Sequence, residues 1–239
     1  MAPLADRLAT RTLELVNIPS ESGHEKAIRE HILGLVPATW APEFAGDEAF
    51  LLAPPRRAEL PLVVLAAHYD TVPAQRNLPG HRSAEAVHGL GASDMKGGLA
   101  VALELARDEH LPSSTCDVAL LLFGREELPA AHNPLPALFA ESSLIRETTL
   151  AVVLEPTDLT VQAGCLGNVV ARLRFEGTSG HAARPWLADS ALEKAVRALG
   201  SLFELAPRTA LVGGLGQRGS RPRGRERRCS RSPMSRQRE

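Results

Sequence analysis

The chain has 239 residues, 44% hydrophobic and 23% charged, the balance of a globular protein with room for one large or two smaller domains. Collagen-like, mucin-like and wholly disordered chains are excluded. The net charge of −1 hides a division: residues 213–239 carry nine Arg against two Glu, so the rest of the chain is acidic, which marks two kinds of sequence in one chain.

The longest apolar stretch, 60–67, is interrupted by Pro61 and falls far short of the ~20 residues a membrane helix needs. The charged N-terminus has no apolar core of the kind a signal peptide requires. Cys116, Cys165 and Cys229 form no CxxC pair, and any disulfide scheme leaves one over. A reduced cytoplasmic protein with no membrane partner is the expectation.

In chain order, leucines at helical spacing predict a helix over 3–18, stopped by Pro19. Ser22 would cap a second helix, with Glu25 at the capping-box position and Ile28, Ile32 and Leu35 on its buried face. A Pro-rich loop surrounds Pro54 and Pro55. The run PLVVLAA (61–67) reads as a buried strand, as do DVALLLFG (117–124) and TLAVVLE (149–155), while 94–108 reads as a helix. Strands alternating with helices predict an α/β sheet with covered faces. After Gln162 the texture changes: 167–177 alternates like a strand with one exposed face, and 188–205 reads as an amphipathic helix, suggesting a second, α+β domain. From Gly213 onward there is too little apolar surface to offset chain entropy, so disorder is expected. Gly214, Gly216 and Gly219 match GxGxxG, but Arg, Ser and Pro follow instead of a helix, which removes the nucleotide reading.

Four segments carry chemistry. His68 and Asp70 lie at the C-terminal end of a predicted strand, where open α/β sheets place ligand sites. Positions i and i+2 share one side of a strand, and a metal-bound histidine commonly donates its second ring N–H to a carboxylate; a polar strand end meeting solvent is the alternative. Asp94 follows a glycine-rich turn and would start a helix, as a cation ligand or simply as its N-cap. Glu126 and Glu127 leave a buried strand together and Glu155 leaves another; each reads as a ligand, a proton carrier or a loop acid. In a parallel sheet all of these converge on one rim. Five carboxylates around one histidine would repel each other without cations, and such mixed N/O donors suit zinc, or cobalt in its place. Among the other histidines His181 stands out, in a Gly-bounded turn (177–185) of the second domain. No GxSxG is present and no Ser or Cys has triad-like surroundings, so nucleophilic catalysis fits poorly.

Taken in order, AAHYDTVP, GLGASDMKGG, the Glu126–Glu127 pair, LEPTD and GTSGHAARP make roughly residues 5–205 resemble the dinuclear-zinc aminoacylase/carboxypeptidase family of amide hydrolases. The resemblance implies a zinc-exopeptidase-like α/β sheet covered by helices over 1–161, a partial α+β lid or dimerisation domain over 162–212, and a disordered Arg-rich tail over 213–239. It implies two Zn2+ per subunit, with Co2+ as a substitute: His68 and Glu155 on one ion, Glu127 on the other, Asp94 bridging. Asp70 would orient His68 and Glu126 would be the general base. His181 would stabilise the oxyanion, reaching across a homodimer, and Arg184 would pair a substrate carboxylate. The substrate would be a small N-acyl amino acid or a peptide. In the family a returning C-terminal part completes the sheet and supplies a last histidine ligand. The tail here holds no histidine, so a C-terminally truncated catalytic domain with doubtful activity is expected. A rival reading is an inactive zinc-binding interaction protein whose arginines contact phosphates. The tail has no aromatic residue for base stacking, so nucleic acid is not the expected partner.

Overall fold

The computed structural model describes residues 3–57, 59–162, 172–203, 209–212 and 215–218. They divide into two units, Met1–Leu159 and Thr160–Glu239.

The first unit is a helix-covered mixed sheet. Helices α1 (Leu4–Val16) and α2 (Lys26–Leu35) precede a hairpin of β1 (Ala41–Ala45) and β2 (Ala49–Ala53). Then come β3 (Leu62–His68), a short hairpin of β4 (His81–Arg82) and β5 (Val87–His88), α3 (Gly97–Ala106), β6 (Asp117–Phe123), α4 (Leu135–Glu141) and β7 (Thr148–Val153). The sheet order is β1-β2-β6-β3-β7. β3 is parallel to both β6 and β7, running from Leu62↔Asp117 to His68↔Phe123. β1 and β2 extend the sheet in antiparallel fashion.

The apolar runs are continuous because the central strands are covered on both faces. Along β6, Val118, Leu120 and Leu122 join Leu15, Ile28, Ile32, Leu99 and Leu103 from α1, α2 and α3. The intervening Ala119, Leu121 and Phe123 pack on the other face with Leu138 of α4 and with Leu144. This is the period-two alternation of a strand serving two cores at once.

Four expectations change. The β1–β2 hairpin precedes the loop around Pro54 and Pro55, where the sequence predicts no strand. β2 is a five-residue run buried throughout, too short for periodicity to declare it. β7 is not buried as expected: it is the edge strand, with Leu150 and Val153 each 55% exposed. Ser22 caps no helix; α2 begins at Lys26 after Glu25, without a side-chain cap bond. The helix expected from residue 94 begins at Gly97, after a kinked turn over 92–96 in which Asp94 (φ −123°, ψ 96°) and Met95 (φ −129°, ψ 37°) are not helical. Asp94 is therefore not a cap.

In the second unit, α5 (Ala191–Phe203) occupies most of the expected 188–205 helix. Of the strand expected over 167–177, residues 167–171 lie outside the described residues and 172–177 have no regular structure. β8 (Thr209–Val212) pairs antiparallel with β9 (Leu215–Arg218), so a hairpin strand stands where disorder was expected to begin; 219–239 lie outside the described residues. No helix among the described residues is long and apolar enough to cross a membrane.

Candidate metal centre

Parallel β3, β6 and β7 end on one rim. The backbone ladder carries slightly past them: Tyr69 N–H donates to Phe123 O (3.0 Å) and Leu154 N–H to Ala66 O (3.0 Å). The segments after the three strands therefore leave the sheet side by side, bearing Asp70, Glu126–Glu127 and Glu155. Asp94 arrives from the kinked turn before α3.

His68 is fully buried. Its Nε2 lies 3.0 Å from Asp94 Oδ1 and 3.7 Å from Glu155 Oε1. One ligand atom from each of the three residues can be chosen so that all lie within 4.8 Å of one another. On the far side of the ring, Nδ1 stands 3.3 Å from Asp70 Oδ1, close enough for charge attraction but without an aligned hydrogen bond. Asp70 is itself buried, and accepts the backbone N–H groups of Glu126 (3.1 Å) and Glu127 (3.2 Å) and the Ser22 hydroxyl (2.5 Å). The two amides follow Arg125, which adopts left-handed φ 60°, a reversal that points successive N–H groups at one anion. Arg125 in turn meets Glu48 Oε1 at 3.3 Å.

Charge has accumulated beyond what water would screen. Burial opposes a charged His68, but Asp70 and Asp94 outweigh it and lift its pKa from 6.5 to about 9. Burial and the nearby Asp94 and Glu126 charges lift Glu155 to about 7, against the attraction of His68. Burial, Asp94 and Glu126 also raise Glu127. Asp70 moves down: burial opposes its ionisation, and the nearby His68 ring with the bonds accepted from Ser22 and the two amides prevail. An imidazole nitrogen flanked by carboxylate oxygens is a donor set that fits a divalent metal ion.

The structure thus brings together His68, Asp94 and Glu155, with Asp70 behind the imidazole. Glu127 feels the charge of Asp94 but stands outside the group of three. His181 and Arg184 belong to the second unit, in one exposed turn where Ala183 N–H donates to His181 Nδ1 (3.1 Å) and Arg184 N–H to His181 O (2.8 Å). Sequence reasoning missed Lys96, buried beside Met95, whose Nζ donates to Leu15 O (2.9 Å) and Ile18 O (3.4 Å). Burial lowers its pKa to about 8. A lysine directly before a largely apolar helix was the available signal.

Gly98 couples the scaffold to the site. A Cβ there would sit 2.3 Å from Leu154 O and 2.9 Å from Leu154 Cβ. Alanine improves helix propensity by about 1 kcal/mol, but a backbone carbonyl cannot rotate away, and overpacking costs about 1–3 kcal/mol. Gly98→Ala is expected to destabilise on balance and to push the adjacent Glu155 outward. Urea denaturation together with Co2+ affinity checks both effects.

Residues 64–217 match the model of Peptidase family M20/M25/M40. The chain is 36% identical over 184 residues to the DapE protein of Mycobacterium tuberculosis, covering 77% of this chain and 51% of that one. It is also 36% identical over 192 residues to the succinyl-diaminopimelate desuccinylase of Corynebacterium glutamicum, covering 77% and 50%. The chain thus spans about half the length of the curated relatives it matches. Its fold is similar to that of a Staphylococcus aureus tripeptidase, with TM-score 0.56 at 18% identity over 87% of this chain and 62% of that one. Since the family model extends over well more than half of its residues, the chain belongs to Peptidase family M20/M25/M40.

Proposed function

We propose that the chain carries the chemistry of a metal-dependent amide hydrolase that cleaves N-succinyl-LL-2,6-diaminopimelate to succinate and LL-diaminopimelate. The observation that carries this reading is the convergence of His68, Asp94 and Glu155 within 4.8 Å, beside two further acids whose backbone is anchored to Asp70. The substrate rests on the likeness to the Corynebacterium glutamicum enzyme.

His68 and Glu155 would hold one Zn2+, Glu127 a second, and Asp94 both; Co2+ suits the same donors. Bound there, the metal would acidify water and polarise the scissile carbonyl. Asp70 fixes the His68 ring. Glu126 accepts a proton from the attacking water and returns it to the leaving amine nitrogen, so that one water and one amide become one carboxylic acid and one amine, which ionise to carboxylate and ammonium. His181, acting in a homodimer, supplies a donor to the developing oxyanion, and Arg184 pairs a substrate carboxylate.

The test is hydrolysis by the purified full chain of succinyl-diaminopimelate, N-acetylornithine and a dipeptide, with Zn2+ or Co2+ and with chelator. Cleavage of the succinyl compound alone, abolished by chelator, is expected. Preference for either other amide reassigns the substrate. Bound metal without any turnover favours a metal-binding interaction protein, and failure to bind metal overturns the reading altogether.

A further inference from the structure

Ser22 caps no helix and instead bonds to the carboxylate behind His68. Its Oγ lies 2.5 Å from Asp70 Oδ2 and 3.2 Å from Thr71 O. A hydroxyl has one proton to give, and the shorter, charge-assisted partner takes it. The segment bearing Ser22 is laid against the end of β3 as if it were a further strand. Thr71 N–H donates to Ser20 O (2.9 Å), Ser22 N–H donates to Thr71 O (3.0 Å), and Glu21 and Thr71 form a parallel bridge. The position of the hydroxyl is thus set by backbone pairing rather than by its own rotamer alone.

We propose that Ser22 is a positioning residue for the metal centre, acting through Asp70; this rests on the reading of His68 as a metal-binding residue. The fully buried Asp70 carboxylate faces His68 through Oδ1. Its two backbone donors both come from the turn after β6. Two donors from one turn leave the carboxylate free to move with that turn. The Ser22 hydroxyl comes from the loop between α1 and α2 and ties the carboxylate to a second segment of the chain. Oδ1 is then held toward the imidazole Nδ1, which keeps Nε2 presented to Asp94 and Glu155. Removing the hydroxyl leaves a buried carboxylate lone pair empty and lets the imidazole drift from the donor geometry.

Partners that orient a metal-bound histidine typically contribute 10–100-fold in affinity. Ser22 stands one step further out, so a loss of about tenfold in Co2+ affinity is expected for Ser22→Ala, with a shifted visible Co2+ spectrum. Ser22→Thr, which keeps the hydroxyl, is expected to restore both. Competition with a chromophoric chelator, using the full chain, reads affinity without relying on turnover. Ser22→Gly provides a second hydroxyl deletion should the alanine variant fold poorly. The double variant Ser22→Ala/Asp70→Asn is expected to bind no more weakly than Asp70→Asn alone, because both changes break one relay. Wild-type affinity and spectrum in Ser22→Ala or Ser22→Gly, equal loss in Ser22→Thr, or additive losses in the double variant overturn the proposal. His68→Ala separates this from the parent reading: if it binds Co2+ like the wild type, the metal centre itself is wrong.

Discussion

Glu126→Gln is expected to reduce amide hydrolysis by roughly a hundred- to ten-thousand-fold, the range for loss of a positioned proton carrier, while leaving metal affinity within a few-fold. The two effects separate if Glu126 carries the proton and Glu127 holds metal, as proposed. Its backbone N–H is fixed to Asp70 at 3.1 Å, and its charge is felt by Glu155 and Glu127. It lies outside the group of three whose donor atoms converge, as Glu127 does, so the contrast between the two adjacent acids tests the roles proposed for them. Glutamine keeps the length and hydrogen-bonding reach and removes only basicity. Glu127→Gln should behave in the opposite sense, lowering the amount of metal bound per chain. Metal analysis beside steady-state rates on the same preparations distinguishes them. If Glu126→Gln retains full turnover, or loses metal in step with activity, the division of labour between the adjacent acids is wrong.

The rim on which these acids stand could be read from the sequence because of strand chemistry. Apolar runs such as 62–68 and 117–123 become parallel strands with both faces covered, and polar residues at their C-terminal ends then emerge on one rim. His68, Glu126, Glu127 and Glu155 are visible in this way, since a charge emerging from a core needs a reason. Other features rest on tertiary contacts that no local pattern announces. Asp94 leads a predicted helix, yet its non-helical backbone turns it to His68 instead of capping. Ser22 and Glu25 have capping-box spacing, but backbone pairing with Thr71 claims the segment first. β7 has the same apolar texture as β3, and only its place at the edge of the sheet leaves Leu150 and Val153 exposed. Pro42 in β1 hides a strand that tolerates proline because it too is an edge.

Freed of metal, the chain is expected to lose stability progressively as pH rises from about 5 to 8, above which buried Lys96, lowered to about 8, acts in the opposite sense; added Zn2+ or Co2+ should reverse the loss. His68 titrates near 9 in the fold against 6.5 when unperturbed, so the folded chain holds a proton that the unfolded chain releases. Its contribution is complete below 6.5 and gone once pH has passed through 9. Glu155, raised from 4.5 to about 7, acts in the same direction over a lower window. Asp70 is opposite: with its folded pKa below 3.8, its contribution is present above 3.8 and lost as pH falls through the folded value. Acid unfolding is therefore a separate event at the other end of the scale. A shift of the size found for His68 is worth on the order of 3 kcal/mol; Glu155, 36% exposed, adds less because water screens it. A divalent ion competes with protons for the same donor atoms, so metal stabilisation grows over the interval in which the metal-free chain weakens. Thermal midpoints taken from pH 5 to 9, with chelator and with excess Co2+, should diverge as the solution becomes more alkaline. Parallel curves would mean that His68 and Glu155 do not share a cation site. A metal-free midpoint that rises between pH 6.5 and 8 would mean that the buried imidazole is neutral, held by Asp70 without the charge that the cluster around it demands.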